Sequence, residues 1–221
     1  MRSSIWVQNE TTSIVIDSGP DFRHQMLRHE VNRLNAIVFT HSHKDHIAGL
    51  DDVRAYNYFQ QEPMNVYGTQ PTLNRIITEY DYAFQDFRYP GVPSIQLHTL
   101  NEEDDFTIGD IKISPIPVWH LNMLVLGFRF GDFTYITDAN KIDEPSKEKI
   151  KGSSVLVLNA LRKEKHISHF TLQEAIDLAD ELEIPQVYFT HVSHQMGLHE
   201  DTNRQLPRSR QLAFDGLRIE I

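Results

Sequence analysis

The sequence predicts an α/β (α+β) protein built from two βα halves packed sheet to sheet with helices outside. Three observations predict it. The 221 residues run as strands, helices, strands, then strand and helix again. An apolar strand ending in Thr-His occurs twice, as Val38-Phe39-Thr40-His41 and Tyr188-Phe189-Thr190-His191, each with a further histidine close behind, His43 and His194. The stretch Thr40-His41-Ser42-His43-Lys44-Asp45-His46 holds three imidazoles and a carboxylate where a strand hands over to a helix. That is the carboxyl end of a strand, where open α/β sheets carry their chemistry.

Taken in order, Ile5-Trp6-Val7 and Ser13-Ile14-Val15-Ile16-Asp17 read as a hairpin turning at Asn9-Glu10-Thr11-Thr12. Asp17-Ser18-Gly19-Pro20-Asp21 is an exit turn. Phe22 to Glu30 reads as a short helix, and Leu34 to Phe39 as a buried strand. After the histidines, Ile47, Leu50, Val53 and Tyr56 recur in threes along one helical face that Pro63 ends. Met64 to Tyr67 is a short strand. Pro71 opens a second helix that carries Leu73, Ile76, Ile77, Tyr80, Phe84 and Phe87 to about Arg88.

The middle is β-rich, with strand pieces at Ile95 to Leu100, Phe106 to Ile108, Ile111 to Ile113 and Ile116 to Val118, and a turn at Gly109-Asp110. Leu126 to Phe130 and Phe133 to Ile136 form a hairpin about Gly131-Asp132. Glu144 to Ile150 is a short helix and Val155 to Leu158 a fully apolar strand. Thr171-Leu172-Gln173-Glu174 is a capping box opening a helix to Leu182. Gln186 to Phe189 is a strand, and Leu212 to Phe214 with Leu217 to Ile219 a terminal hairpin. With no linker or low-complexity stretch, one domain over 1–221 is expected.

Composition narrows the function classes. With 21 basic and 31 acidic residues the net charge is −10, which disfavours broad binding to a phosphate backbone. There is no cysteine, so disulfides and thiolate metal ligands are excluded. No apolar run reaches the ~20 residues of a membrane span, and the start lacks an apolar signal segment. A soluble cytoplasmic protein is expected.

The twelve histidines carry the chemistry. Metal sites want imidazoles and carboxylates converging on one point. In an extended exit His41 and His43 point the same way and could chelate one ion; Asp45 and His46, a turn later, could reach a second. Four ligands in one loop cannot enclose two ions, so others must come from other strand ends. His120 ends one strand, Asp138 another, where its carboxylate could bridge, and His191 a third. The alternative for any one of these is a hydrogen-bonded structural residue, and for the loop a solvated surface.

The motif Thr40-His41-Ser42-His43-Lys44-Asp45-His46, followed by Gly49, His120, Asp138 and His191 in that order, resembles the metallo-β-lactamase superfamily over nearly the whole chain. The resemblance implies a four-layer αββα sandwich with a dinuclear site at the sheet edges. His41, His43 and His120 would hold one ion, Asp45, His46 and His191 the other, and Asp138 would bridge. Zinc, manganese and iron all suit such ligands. Asp45, with no cysteine, sets the chain apart from true β-lactamases and aligns it with the phosphodiesterase and general hydrolase branches. Leu158-Asn159-Ala160-Leu161-Arg162 and His166-Ile167-Ser168-His169-Phe170-Thr171 resemble the phosphoribosyl cyclic phosphodiesterases (the PhnP-like group), as does the tail from Leu206-Pro207 to Leu217. They are also similar to the transfer-RNA tail-trimming endonucleases (tRNase Z), and imply that His169 assists phosphodiester cleavage. That group ordinarily has a first strand and a cysteine cluster before the segment beginning here at Arg2-Ser3-Ser4. A sandwich lacking the first strand is therefore expected and, with no cysteine to partner His194, no structural zinc.

The expected function is a dinuclear metal-dependent hydrolase of small phosphodiesters, cyclic ribose phosphates or nucleotides, attacked by a metal-bridging hydroxide. His169 would give a proton to the leaving oxygen or bind the phosphate; its alternative role is packing or capping before Thr171. The alternatives are an RNA-processing endonuclease, a hydrolase of another small ester or thioester, and a non-enzymatic metal-binding remnant. Asp17 is expected to support a turn or a ligand rather than bind metal. Asp51 and Asp52 could orient an imidazole or lie on a solvated helix face. His199, His166 and Arg54 are candidate substrate contacts, with Arg23 and His194, against an ordinary surface role. The expected partner is a small phosphodiester, without membrane or nucleic acid; a homodimer stays open.

Overall fold

The computed structural model describes residues 1–85 and 90–221. The chain divides into two compact units, Met1–Ile111 and Lys112–Ile221.

In the first unit β1 (Ile5–Gln8) and β2 (Ser13–Ile16) pair antiparallel with Ile5 opposite Ile16. Their turn is held by Asn9, whose Oδ1 accepts from Thr11 N at 3.0 Å and Thr12 N at 2.8 Å. Then come α1 (Phe22–Arg28), β3 (Ala36–Val38), α2 (Lys44–Ile47), a 3-10 turn (Leu50–Val53), α3 (Arg54–Gln60), β4 (Met64–Gly68), α4 (Gln70–Glu79), β5 (Ile95–Thr99) and β6 (Phe106–Ile108). The sheet order is β1-β2-β3-β4-β5, with β2 to β5 parallel. Strands laid down in sequential order by right-handed crossovers put every crossover helix on one face. The cross-strand row Val15, Ile37, Val66 and Leu97 shows that face. It packs against Phe22, Met26, Ile47, Leu50, Val53, Tyr56, Leu73 and Ile76. The spacing in threes after the histidines is read by the 3-10 turn, whose repeat is three residues.

Helix α4 ends at Glu79, followed by a 3-10 turn at Asp81–Ala83, short of the end expected near Arg88. At Tyr80 the backbone leaves the helical region, with φ −119° and ψ 36°, and the buried hydroxyl donates to Ile47 O at 2.7 Å. Phe87 and Arg88 lie outside the described residues.

The second unit holds all but the first residue of β7 (Ile111–His120), then β8 (Met123–Phe130) and β9 (Phe133–Ile136), an antiparallel meander. Then follow α5 (Glu144–Ile150), β10 (Val155–Asn159), α6 (Leu172–Glu181), β11 (Gln186–Thr190), α7 (His199–Gln205) and β12 (Arg210–Leu212). Here β12, β11, β10, β9, β8 and β7 lie side by side in that order, β9 to β12 parallel. The row Ile136, Leu158, Phe189 and Leu212 packs with Ile150, Leu172, Ala175 and Leu178 in one apolar core. The capping box on α6 is complete: Thr171 Oγ1 accepts from Glu174 N, and Glu174 Oε2 accepts from Thr171 N at 2.9 Å.

Three expectations change. The two strand pieces around Pro115 and Pro117 are one strand. Pro115 O accepts from Lys149 Nζ at 2.9 Å and Pro117 O from Ser146 Oγ at 2.5 Å. The backbone at both prolines therefore faces away from β8, so their missing N–H groups cost no bond in that ladder. The terminal hairpin is absent. Arg210 to Leu212 pairs parallel with β11 instead, and the Asp215-Gly216 turn falls after the chain has left the sheet. Helix α7 was not expected, because His-Glu-Asp-Thr-Asn-Arg-Gln carries no apolar stripe.

Candidate metal centre

In the first unit the donors gather where β2 and β3 end. Parallel pairing of Ile16 with Val38 brings Asp17 beside Thr40, 23 residues away. The fully buried Asp17 accepts from Thr40 N at 2.9 Å through Oδ1. Through Oδ2 it accepts from Thr40 Oγ1 at 2.8 Å and faces His46 Nδ1 at 2.7 Å. Burial pushes its pKa up, partly offset by His46 and the Thr40 bonds. The Thr40 hydroxyl has one proton and gives it to Asp17, so at 2.9 Å it accepts from His41 Nδ1. Both His41 and His46 are thereby set as Nδ1–H tautomers with the lone pair on Nε2. His46 Nε2 lies 3.5 Å from Asp45 Oδ2. The His41 ring centroid is 4.6 Å from that of His43 and 4.2 Å from that of His46.

Glycine makes this close approach possible. A Cβ on Gly49 would meet Gly19 O at 2.2 Å, and one on Gly19 would meet Asp45 O at 2.2 Å. Gly49 N donates to Ser18 O at 2.8 Å, tying the histidine loop to the turn after β2.

In the second unit four donors come from β7, β9, β11 and the loop after β10. His120 Nδ1 donates to Ser168 O at 2.8 Å; a carbonyl only accepts, so here too Nε2 carries the lone pair. Asp138 Oδ1 accepts from Thr137 Oγ1 at 2.6 Å and lies 3.1 Å from His191 Nε2, while Oδ2 lies 3.6 Å from His169 Nε2. Donor atoms of His120, Asp138 and His169 fall within 4.8 Å of one another. His169 meets His120 edge-on at 4.6 Å and stacks on His191 at 5.0 Å. Asn159, buried at the end of β10, fixes the turn after Asp138: its Oδ1 accepts from Ala139 N at 2.7 Å and its Nδ2 donates to Ala139 O at 2.9 Å. In the sequence Asn159 is visible only inside a family motif, because its bonds join segments 20 residues apart.

Asp17, Asp138 and His191 take φ of 64°, 59° and 53°. Left-handed backbone costs energy in any residue with a side chain, and it concentrates at functional positions. Asp17 and His191 stand directly after β2 and β11, and Asp138 follows β9 with Thr137 between.

The remaining candidates divide. His166 joins the second unit's group: its Nδ1 accepts from Ser168 N at 3.3 Å and lies 3.2 Å from His169 Nδ1. Burial, and then the nearby His169 and Arg162 charges, lower the His166 pKa. Ser168 Oγ lies 3.0 Å from His169 Nδ1 and 3.3 Å from His166 Nδ1, so it sits between the two rings. His199 Nε2 lies 3.2 Å from the carbonyls of Leu212 and Ala213, tying α7 to the strand β12. Arg54 pairs with Asp51 at 2.7 Å, and Asp51 also takes the Tyr82 hydroxyl. Arg23 lies 3.6 Å from Asp52. Asp51 and Asp52 thus serve surface pairs and orient no imidazole in these contacts. His194 is exposed at the start of a 3-10 turn. Among the described residues, no helix is long and apolar enough to cross a membrane.

The chain matches the β-lactamase superfamily domain over residues 12–192. It is 33% identical over 209 residues to an octanoyltransferase of Porphyromonas gingivalis, covering 94% of this chain and 42% of that protein. It is 29% identical over 135 residues to ribonuclease Z of Acaryochloris marina, covering 59% of this chain and 39% of that one. The chain therefore spans about two fifths of the length of these relatives. Among solved structures, a diphosphatase from the PhnP family matches with a TM-score of 0.91 at 36% identity, over 100% of this chain and 84% of that one. The short form of human tRNase Z matches with a TM-score of 0.74 at 20% identity, over 100% and 92%.

Proposed function

The chain belongs to the metallo-β-lactamase superfamily, and from that premise we propose that it is a two-metal hydrolase of small phosphodiesters. The fold implies divalent ions, and the donor set fits them. His46 and His120 each give their Nδ1 proton to an oxygen acceptor, the arrangement that orients metal-binding imidazoles. We assign His41, His43 and His120 to one ion, Asp45, His46 and His191 to the other, and Asp138 to both. Such ions, when bound, make water a nucleophile near neutral pH and neutralise charge on phosphoryl oxygens.

The observation that carries the phosphodiester reading is His169. It is a half-buried imidazole beyond the assigned ligands, its Nε2 3.6 Å from Asp138 Oδ2 and its Nδ1 3.0 Å from Ser168 Oγ and 3.2 Å from His166 Nδ1. Protonated, Nε2 gives its proton to the departing ester oxygen, and His166 with Ser168 keeps the ring turned to do so. The names of the PhnP-family diphosphatase and of ribonuclease Z both denote cleavage at phosphorus; the name octanoyltransferase belongs to a protein of which this chain spans 42%. The net charge of −10 favours small diesters over RNA.

The test is a metal-controlled panel of aryl phosphodiesters, cyclic nucleotides, thioesters and lactones. Diester turnover that Asp138→Ala abolishes is expected. His169→Ala should lower kcat by ~100-fold with about two ions per chain retained. Loss of an ion in that variant would make His169 a ligand instead. Pre-transfer-RNA cleavage without small-diester turnover would favour the nuclease.

A further inference from the structure

We propose that Leu121, Ile167 and Val192 form an apolar rim on the second unit that selects diesters carrying a flat aromatic group, as nucleotides do, over bare sugar phosphates. The inference rests on the phosphodiesterase reading. Leu121 directly follows His120, Val192 directly follows His191, and Ile167 stands two residues before His169. Their exposures are 50%, 41% and 73%. Single exposed apolar side chains are ordinary on any surface. Three of them beside three histidines in ring-to-ring contact are a local concentration at the proposed reaction centre.

Leu121 is the most informative of the three. It occupies a two-residue turn between His120 and Met123, which pair across β7 and β8, and its φ is 56°. Glycine or asparagine takes that conformation with little strain; leucine does not. Being half exposed, Leu121 gains little from burial in return. Neither backbone preference nor core packing explains a leucine there, whereas an apolar ligand surface does.

Asn140 then places Leu121 next to Ile167. Its Oδ1 accepts from Leu121 N at 2.7 Å, and its Nδ2 donates to Ile167 O at 3.2 Å. One amide thus clamps the two backbones together. An aromatic ring on a substrate whose phosphorus lies at the histidines would cover these side chains and remove their surface from water.

The test compares phenyl p-nitrophenyl phosphate with methyl p-nitrophenyl phosphate, which share a leaving group and differ in the remaining arm. The metal-loaded protein should prefer the phenyl ester through KM. In Leu121→Asn and in Leu121→Asn/Ile167→Ser, kcat/KM for the phenyl ester should fall at least ~10-fold more than for the methyl ester. Thermal stability of Leu121→Asn should be equal or higher, which separates lost selectivity from lost fold. Equal kcat/KM for the two esters in the unmodified protein, or equal losses in the variants, would overturn the rim. If neither ester is turned over, the phosphodiesterase reading fails by itself. Calorimetric binding of diphenyl against dimethyl phosphate then decides the rim: tighter diphenyl binding that weakens in the double variant supports it, and equal binding overturns it.

Discussion

Asp17 anchors the first unit's histidine loop without being one of the proposed ligands. One carboxylate receives the Thr40 backbone and hydroxyl, and the His46 imidazole. Through the hydroxyl it also sets His41. Asparagine has the same shape but turns one acceptor into a donor. Its amide nitrogen would face either Thr40 or His46 Nδ1. Satisfying it there forces the His46 proton to Nε2, the atom that should hold metal. Asp17→Asn should therefore keep the fold and lower metal affinity about 10- to 100-fold, read by competition with a coloured chelator; unchanged affinity would remove Asp17 from the site. The proposed ligands stand out in the sequence because four of the seven lie in one heptapeptide and the other three follow apolar strand-like runs. The supporting role of Asp17 was only partly legible, since it exists once Ile16 pairs with Val38. Asn159 and the His166–His169 contact depend on similar long closures that no local pattern records.

Elements were legible where periodicity and capping agree, as in α6, and misread where backbone direction decides. Nothing in Ile111 to His120 says which way the Pro115 and Pro117 carbonyls point, yet that is what lets one strand run through both. The turn residues carry a separate lesson. Asp110 Oδ1 accepts from Asn9 Nδ2 at 2.9 Å and Thr12 Oγ1 at 2.7 Å, stapling the β6–β7 turn to the β1–β2 turn. These bonds, Asn9 first, hold its pKa down at about 2 from 3.8. A depressed carboxylate stabilises the folded state fully above the unfolded value and loses that contribution as pH falls through the folded one. The stabilisation from Asp110 is thus complete above pH 3.8 and fades toward pH 2. Asp110→Ala should be less stable than the unmodified protein at pH 6, with the difference shrinking on acidification. A pH-independent difference in denaturant midpoint would refute the linkage. Gly49→Ala tests the other tight element: with its Cβ against Gly19 O, the loop must move, and a loss of about 1–3 kcal/mol is expected. Metal affinity should fall with it, because Asp45 and His46 ride on the same turn.

At the scale of the whole molecule, the question is what two ions do to a chain of net charge −10. Two divalent ions would reduce it to −10 + 4 = −6, and every ion bound only by the folded state stabilises it. At a free concentration 100 times Kd, one site contributes about 2.7 kcal/mol, or about 5–10 °C in Tm for a chain of this size. Chelation should reverse that shift. The proposed ligand assignment makes a sharper claim, because it gives the ion of His41 and His43 a third ligand, His120, from far along the chain. If His43 and His120 bound separate ions, the metal-affinity losses of His43→Ala and His120→Ala would add in the double variant, as independent sites do. If they hold one ion together, either change alone removes most of that site's affinity and the second costs little more. Titrating the four proteins of this cycle with zinc and with manganese, against a chelator of known affinity, measures the coupling. Coupling well above the ~0.5 kcal/mol scatter of additive pairs is expected; losses that simply add would dismantle the shared site and the two-metal reading with it.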